Sequence, residues 1–218
     1  MPTACVKRLI LAAGGTGGHI CPAMAFGQWL ASTFGNIEIT YVSGSRPLER
    51  EIYGNAGLEA VTLPCEGSPI GTRGTASLAR WLQIFRAVGE MGRLFRQRKP
   101  DACVLFGGYL SFPVLAAGRL QGVPILVHEQ NAVAGRVTRL GVRLGARLLS
   151  GWNECRPFPP SQFTPVGTPV RSMKRLPRRE AWNKLGLGEF PGGINCLVLG
   201  GSLGSRSLIE RVVKISRL

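Results

Sequence analysis

The chain has 218 residues, 44% of them hydrophobic, which is enough apolar content for one large core and part of another. Its formal charge of +15 and pI near 10.8 call for an anionic partner: nucleic acid, anionic lipid or a phosphorylated substrate. Asp101 is the only aspartate, which excludes a metal-binding D-x-D transferase and a two-metal phosphatase or nuclease. Any phosphate must then be held by backbone N–H groups, helix starts and basic side chains.

From the amino terminus, Lys7 and Arg8 are followed by only Leu9 to Ala13 before glycines intervene, too short for a signal-peptide core. No apolar run approaches the roughly 20 residues that span a bilayer, and the chain is expected to stay in the cytoplasm. Continuous apolar strands are expected near 8–13, 37–43, 58–63, 101–106, 124–128 and 146–150. Helices are expected near 21–33, 46–56, 76–98, 112–120 and 135–144. Strand and helix alternate, so the class is α/β, a doubly wound parallel sheet covered on both faces. Six scattered cysteines contain no C-x-x-C pair and predict neither a disulfide framework nor a zinc site.

The first strand leads into Gly14-Gly15-Thr16-Gly17-Gly18-His19 and then a helix. Such a turn lets backbone approach a ligand, and the following helix start attracts phosphate. It is not a dinucleotide fingerprint, because Ile20 stands where the last glycine would fall and the second strand ends in Ser43-Gly44 without an acid. It is not a P-loop either, because Gly-Lys-Ser/Thr is absent. Two further strand ends carry similar signals. Gly107-Gly108-Tyr109-Leu110-Ser111 offers paired glycines and a candidate helix cap in Ser111. His128-Glu129-Gln130-Asn131 holds the second of the two histidines. Glu129 is either ion-paired with Arg136 or Arg139, or poised as a base. Three loops at one rim of a parallel sheet predict a cleft.

In the 76–98 helix, Leu78, Trp81, Leu82, Phe85 and Val88 recur at helical spacing, with Arg80, Arg86, Arg93, Arg96, Arg98 and Lys99 around them. The stripe reads either as core or as a face for an anionic membrane. Arg136, Arg139, Arg143 and Arg147 read as one basic stripe on a helix. Prolines crowd 151–177 as in a linker. Beyond it a helix is expected at 178–185, a strand at 194–199, a second glycine loop at Gly200 to Gly204 and a helix from Arg206. These few elements cannot bury a core of their own, so a second domain is expected to be incomplete.

Taken together, Gly14 to His19 with Pro22, Gly107-Gly108-Tyr109 with Ser111 and Pro113, His128-Glu129-Gln130-Asn131 with Gly135, Pro169-Val170-Arg171, and Gly200-Gly201-Ser202 with Gly204 resemble, in this order, the MurG family of peptidoglycan N-acetylglucosaminyltransferases. The resemblance implies a GT-B fold and inverting transfer of GlcNAc from UDP-GlcNAc to the C4 hydroxyl of MurNAc in undecaprenyl-diphospho-MurNAc-pentapeptide (lipid I to lipid II), a step of peptidoglycan synthesis, cell-wall biogenesis and cell division. It implies an acceptor domain over 1–163, a linker at 164–177 and the start of a UDP-sugar domain at 178–218. It places Thr16, Gly17, Gly18, Asn131, Arg171 and Ser202 at UDP-GlcNAc. Gly14, Gly15, Gly107, Gly108 and Tyr109 would face the acceptor diphosphate. His19 is the candidate base, with Glu129 as the alternative. Trp81, Phe85, Arg80 and Arg86 would meet anionic lipids on the cytoplasmic side of the inner membrane. No cofactor, metal or nucleic acid is implied. The family's second domain continues past residue 218, so this polypeptide alone is expected not to turn over. Another GT-B sugar-nucleotide enzyme, such as a non-hydrolysing epimerase, and a basic nucleic-acid-binding module are the competing readings.

Overall fold

A computed structural model describes residues 6–68, 74–173, 175–200 and 204–215. Two compact units emerge, Met1–Arg171 and Ser172–Leu218. The first contains a seven-stranded, wholly parallel sheet. In chain order it runs β1 (Arg8–Ala12), α1 (Gly17–Phe34), β2 (Glu38–Ser43), α2 (Pro47–Asn55), β3 (Ala60–Thr62), α3 (Thr75–Arg98), β4 (Ala102–Leu105), α4 (Ser111–Leu120), β5 (Ile125–Glu129), α5 (Arg136–Arg143), β6 (Arg147–Ser150) and β7 (Phe163–Pro165). The spatial order is β3-β2-β1-β4-β5-β6-β7. The chain winds outward from β1 in one direction, then crosses back through α3 and winds outward in the other. The reversal lies between β1 and β4, where the loops leaving neighbouring strands part and open a crevice at their carboxyl ends.

Alternation along the strands builds two cores. Ile10 and Ala12 of β1 join Cys103 and Leu105 of β4 on one face, under Ala87, Met91, Leu94 and Phe95 of α3 and Val114 and Leu115 of α4. Leu9, Leu11, Val104 and Phe106 point the other way, against Ile20, Ala23, Met24 and Leu30 of α1. Gly27 lets α1 press onto the sheet, because a Cβ there would overlap the Tyr41 hydroxyl and come within 3.0 Å of Leu11.

Several expectations require correction. The proline-rich segment is not only linker: β7 pairs parallel with β6, Ser150 opposite Pro165. Proline is tolerated there because β7 is an edge strand with no ladder beyond it. The first unit therefore extends past 163, to Arg171. The expected arginine stripe is broken: α5 ends at Arg143, Gly145 turns the chain at φ +86, and Arg147 lies on β6. In the second unit α6 (Arg178–Lys184) and α7 (Arg206–Ile215) are helices, but residues 194–199 form no strand and Ile194, Leu197 and Leu199 are exposed. A parallel strand needs partners, and that unit offers none among its described residues. The expected second glycine loop lies mostly outside the described residues, Ser202 included.

Candidate functional site

The three glycine- and histidine-bearing loops meet at the carboxyl rim, astride the β1–β4 reversal. Gly15, Gly107 and Gly108 have φ of +100, +86 and +79, a region that L side chains avoid. Space is equally restrictive: a Cβ on Gly108 would lie 2.5 Å from the Gly14 carbonyl, and one on Gly107 would lie 3.2 Å from the His19 ring. Thr16 is the N-cap of α1 in extended conformation, with no side-chain cap hydrogen bond and no acid in the first turn. The amides at Gly17 and Gly18 thus belong to a helix start that attracts anions.

Contrary to expectation, Ser111 does not cap α4. Its hydroxyl donates to the Gly107 carbonyl at 2.8 Å, and Leu110 is the N-cap. The serine therefore fixes the glycine pair from below.

Tyr109 turns inward. Its hydroxyl donates to Glu49 Oε1 at 2.8 Å and lies 3.1 Å from the Cys65 carbonyl, while the Arg46 guanidinium sits 5.1 Å above its ring. Glu49, from α2, is fully buried and also accepts the Gly15 N–H at 2.5 Å. Burial and the Glu49 hydrogen bond push the Tyr109 phenol well above its ordinary pKa. It stays protonated and ties the loop after β4 to the loop after β1 through Glu49. Sequence reading missed Glu49 because an acid in a helical stretch reads as a solvated face. Only burial marks it, and the signal nearest to it in the sequence is Pro47 at the helix start.

Glu129 is 4% exposed and spends both oxygens on structure. Oε1 accepts the Asn131 N–H and side-chain amide at 3.1 and 2.9 Å. Oε2 accepts the Gly135 N–H and the Thr138 hydroxyl at 2.9 and 2.7 Å. It is paired with neither Arg136 nor Arg139; Arg139 donates instead to the Ala134 carbonyl. The four bonds hold Asn131 at the rim and start α5.

His19 and His128 are joined by one residue. His19 Nδ1 is 3.1 Å from Gln130 Oε1, Gln130 Nε2 is 3.1 Å from His128 Nδ1, and His128 Nε2 is 2.9 Å from the Gly167 carbonyl. His128 is 2% exposed, and its burial holds the imidazole pKa below the usual value. Beneath it an apolar cleft of about 460 Å³ is lined by Phe26, Trp29, Phe106, Leu126, His128 and Val166 among others. Arg171 is exposed at the end of the first unit. Among the described residues no cluster of His, Cys, Asp or Glu could hold a metal ion. The described cysteines are free, with Cys65, Cys103 and Cys155 buried.

The stripe on α3 divides in two. Ile84, Ala87, Met91, Leu94 and Phe95 are core, whereas Leu78, Trp81, Leu82 and Phe85 face solvent, Phe85 at 66% exposure. Arg86 is exposed beside them, while Arg80 donates to the Ser68 carbonyl. No helix among the described residues is long and apolar enough to cross a membrane.

Residues 9–149 match the glycosyltransferase family 28 N-terminal domain. A protein of Solidesulfovibrio magneticus is 34% identical over 96% of this chain and 55% of its own length. One of Nitratidesulfovibrio vulgaris, strain Miyazaki F, is 36% identical over 95% of this chain and 55% of its own. Both are named UDP-N-acetylglucosamine--N-acetylmuramyl-(pentapeptide) pyrophosphoryl-undecaprenol N-acetylglucosamine transferase. The crystal structure of Acinetobacter baumannii MurG superposes with a TM-score of 0.70 at 29% identity, covering 97% of this chain and 58% of that one. The UDP-GlcNAc 2-epimerase of Neisseria meningitidis, at 14% identity and a TM-score of 0.51, shares the fold alone. The chain spans about half the length of the curated relatives it matches.

Proposed function

We propose that this chain, which belongs to glycosyltransferase family 28, carries the acceptor side of an inverting GlcNAc transfer from UDP-GlcNAc to a polyprenyl-diphosphoryl MurNAc-pentapeptide. Its α/β sheet is that of the amino-terminal half of a GT-B glycosyltransferase. The observation that carries the reading is the rim itself. Three loops, two of them rich in glycine, meet around the His19 imidazole at the switch point, and the start of α1 carries no side-chain cap and no acid in its first turn. That equipment suits a diphosphate-linked sugar held without a metal.

In this reading Gly14, Gly15, Gly107 and Gly108 bring backbone to the acceptor diphosphate, while Tyr109 supports them from behind. Thr16, Gly17 and Gly18 at the start of α1, with Asn131 and Arg171, face the UDP-sugar. His19 Nε2 takes the proton of the MurNAc C4 hydroxyl as that oxygen bonds to C1 of GlcNAc. The bond from C1 to the β-phosphate oxygen breaks with its electron pair leaving on UDP. One displacement inverts the anomeric centre. His19 is preferred over Glu129 as base because both oxygens of Glu129 are already engaged. The domain roles are an acceptor domain in the first unit and the start of a UDP-sugar domain in the second.

The exposed strip Leu78-Trp81-Leu82-Phe85 with Arg86 is proposed to meet anionic lipid on the cytoplasmic face of the inner membrane, where a lipid-tailed acceptor is found. Its aromatics group with leucines instead of alternating with arginines, which favours lipid over single-stranded nucleic acid.

Calorimetric titration of the purified chain with a short-chain polyprenyl-diphosphoryl MurNAc-pentapeptide tests the reading. Saturable binding, weakened by Gly108→Ala, is expected. Absence of binding, or acceptor-independent epimerisation of UDP-GlcNAc, would overturn it.

A further inference from the structure

The hydrogen bonds around Gln130 leave one consistent arrangement of protons, and it ends on the imidazole assigned above as base. The arrangement starts at Gly167. Its carbonyl only accepts, so the 2.9 Å bond to His128 requires a proton on His128 Nε2. His128 is buried against Phe106, ring centroids 5.3 Å apart, and burial disfavours its charged form. The neutral ring then bears a lone pair at Nδ1.

Gln130 faces that lone pair and, at 3.1 Å, the His128 carbonyl as well. Two acceptors converge on one end of its amide. Only the NH2 end satisfies both; the flipped amide would set its oxygen against a carbonyl and a lone pair. The orientation of Gln130 is therefore fixed from the His128 side. Its Oε1 must be the atom facing His19 Nδ1 at 3.1 Å. Because that oxygen accepts only, His19 Nδ1 carries the hydrogen, and in the neutral ring Nε2 is left with the lone pair. The Nδ1 and Cε1 atoms of the His19 ring face Gly107, where an added Cβ would lie 3.2 Å from both.

We propose that Gln130, oriented by His128 and the Gly167 carbonyl, is a positioning residue that fixes His19 as the Nδ1–H tautomer and leaves Nε2 as the basic nitrogen at the rim. The assignment rests on the function proposed above for its meaning, because a base must present a lone pair to its substrate, but its geometry stands without any substrate. It also explains two motif residues that touch no proposed ligand. His128 and Gln130 transmit one proton choice from the end of β5 to the end of β1.

Long-range nitrogen–proton correlation spectra of the histidine-labelled chain test this directly. The sequence has only two histidines, and His19→Asn assigns them. Expected are a protonated Nδ1 with an unprotonated Nε2 for His19, and the reverse pattern for His128. In Gln130→Met, which keeps length but removes both polar ends, the His19 nitrogens are expected to shift to the averaged values of a two-tautomer mixture. His128, still held by Gly167, should keep its Nε2–H signature and so report that the unit remains folded. A wild-type His19 in the Nε2–H form, or already averaged, overturns the proposal without need of any variant. So does a Gln130→Met spectrum in which His19 is unchanged. Should Gln130→Met lose the His128 signature, the wild-type spectrum decides. Failure of acceptor binding with the expected tautomers would instead count against the proposed function and leave this assignment intact.

Discussion

Tyr109→Phe removes one oxygen and should be felt at two loops. The phenol donates to Glu49 Oε1 at 2.8 Å, and Glu49 is fully buried. Its Oε2 has no hydrogen-bond partner among the described residues, so the Gly15 N–H would be the only donor left to the carboxyl group. The Cys65 carbonyl would lose its contact with the hydroxyl as well. Phenylalanine fits the same space, so no cavity term arises. Removing the donor from a buried acceptor costs about 1–3 kcal/mol, and a loss of about 2 kcal/mol is expected. For a unit of this size that corresponds to a Tm lower by about 4–8 °C. Thermal unfolding by circular dichroism measures it, and urea unfolding checks that the slope is unchanged. Combining Tyr109→Phe with Glu49→Ala should give less than the sum of the two losses, by about 1 kcal/mol. A Tyr109→Phe melt within about 1 °C of the parent would refute the reasoning, since the inward hydroxyl would then hold nothing.

Further expectations follow from single features. Gly27→Ala should destabilise by about 2–3 kcal/mol, because the new methyl overlaps the buried Tyr41 hydroxyl; a parental melting temperature would mean that α1 has room to move. The folded pKa of His128 lies below its value in the unfolded chain. Its contribution to stability is therefore complete above about pH 6.5 and declines as pH falls toward the folded pKa, where the unfolded chain binds the extra proton. Melts between pH 7.5 and 5 should fall more steeply for the parent than for His128→Asn, and equal slopes would count against a buried neutral imidazole. Burial raises the Cys65 thiol to about 12, so maleimide at pH 8 should label exposed Cys196 and leave Cys65 unmodified until the chain is unfolded. Replacing Leu78, Trp81, Leu82 and Phe85 by serine should weaken binding to anionic vesicles at least several-fold with little change in Tm, since all four are exposed; unchanged vesicle binding would remove this strip from the membrane reading.

The strands and helices of the first unit were legible because their signals are local. Continuous apolar runs such as Cys103 to Phe106 can lie only inside a two-sided sheet, and paired glycines at 14–15 and 107–108 mark where it ends. The same locality explains the errors. Pro165 hid β7, because an edge strand loses nothing by lacking an N–H on its outer side. Ile194 to Leu199 has the composition of a strand, but composition cannot supply a neighbour to pair with. In α3, periodicity identified an apolar stripe yet could not say that Leu78, Trp81, Leu82 and Phe85 stay exposed while Ile84, Ala87, Met91, Leu94 and Phe95 are buried.

By itself the sequence determined which backbone would be bare of side chains and at which strand ends the histidines would stand, since both are properties of neighbours along the chain. Tertiary structure alone decided what those groups do to one another. Glu49, Tyr109 and Gly15 are distant in sequence, and so are His19, Gln130 and Gly167. A hydrogen bond is directional and reaches about 3 Å, so whether a carboxylate is a base or a brace, and which imidazole nitrogen is free, is fixed only when the strands that carry them lie side by side.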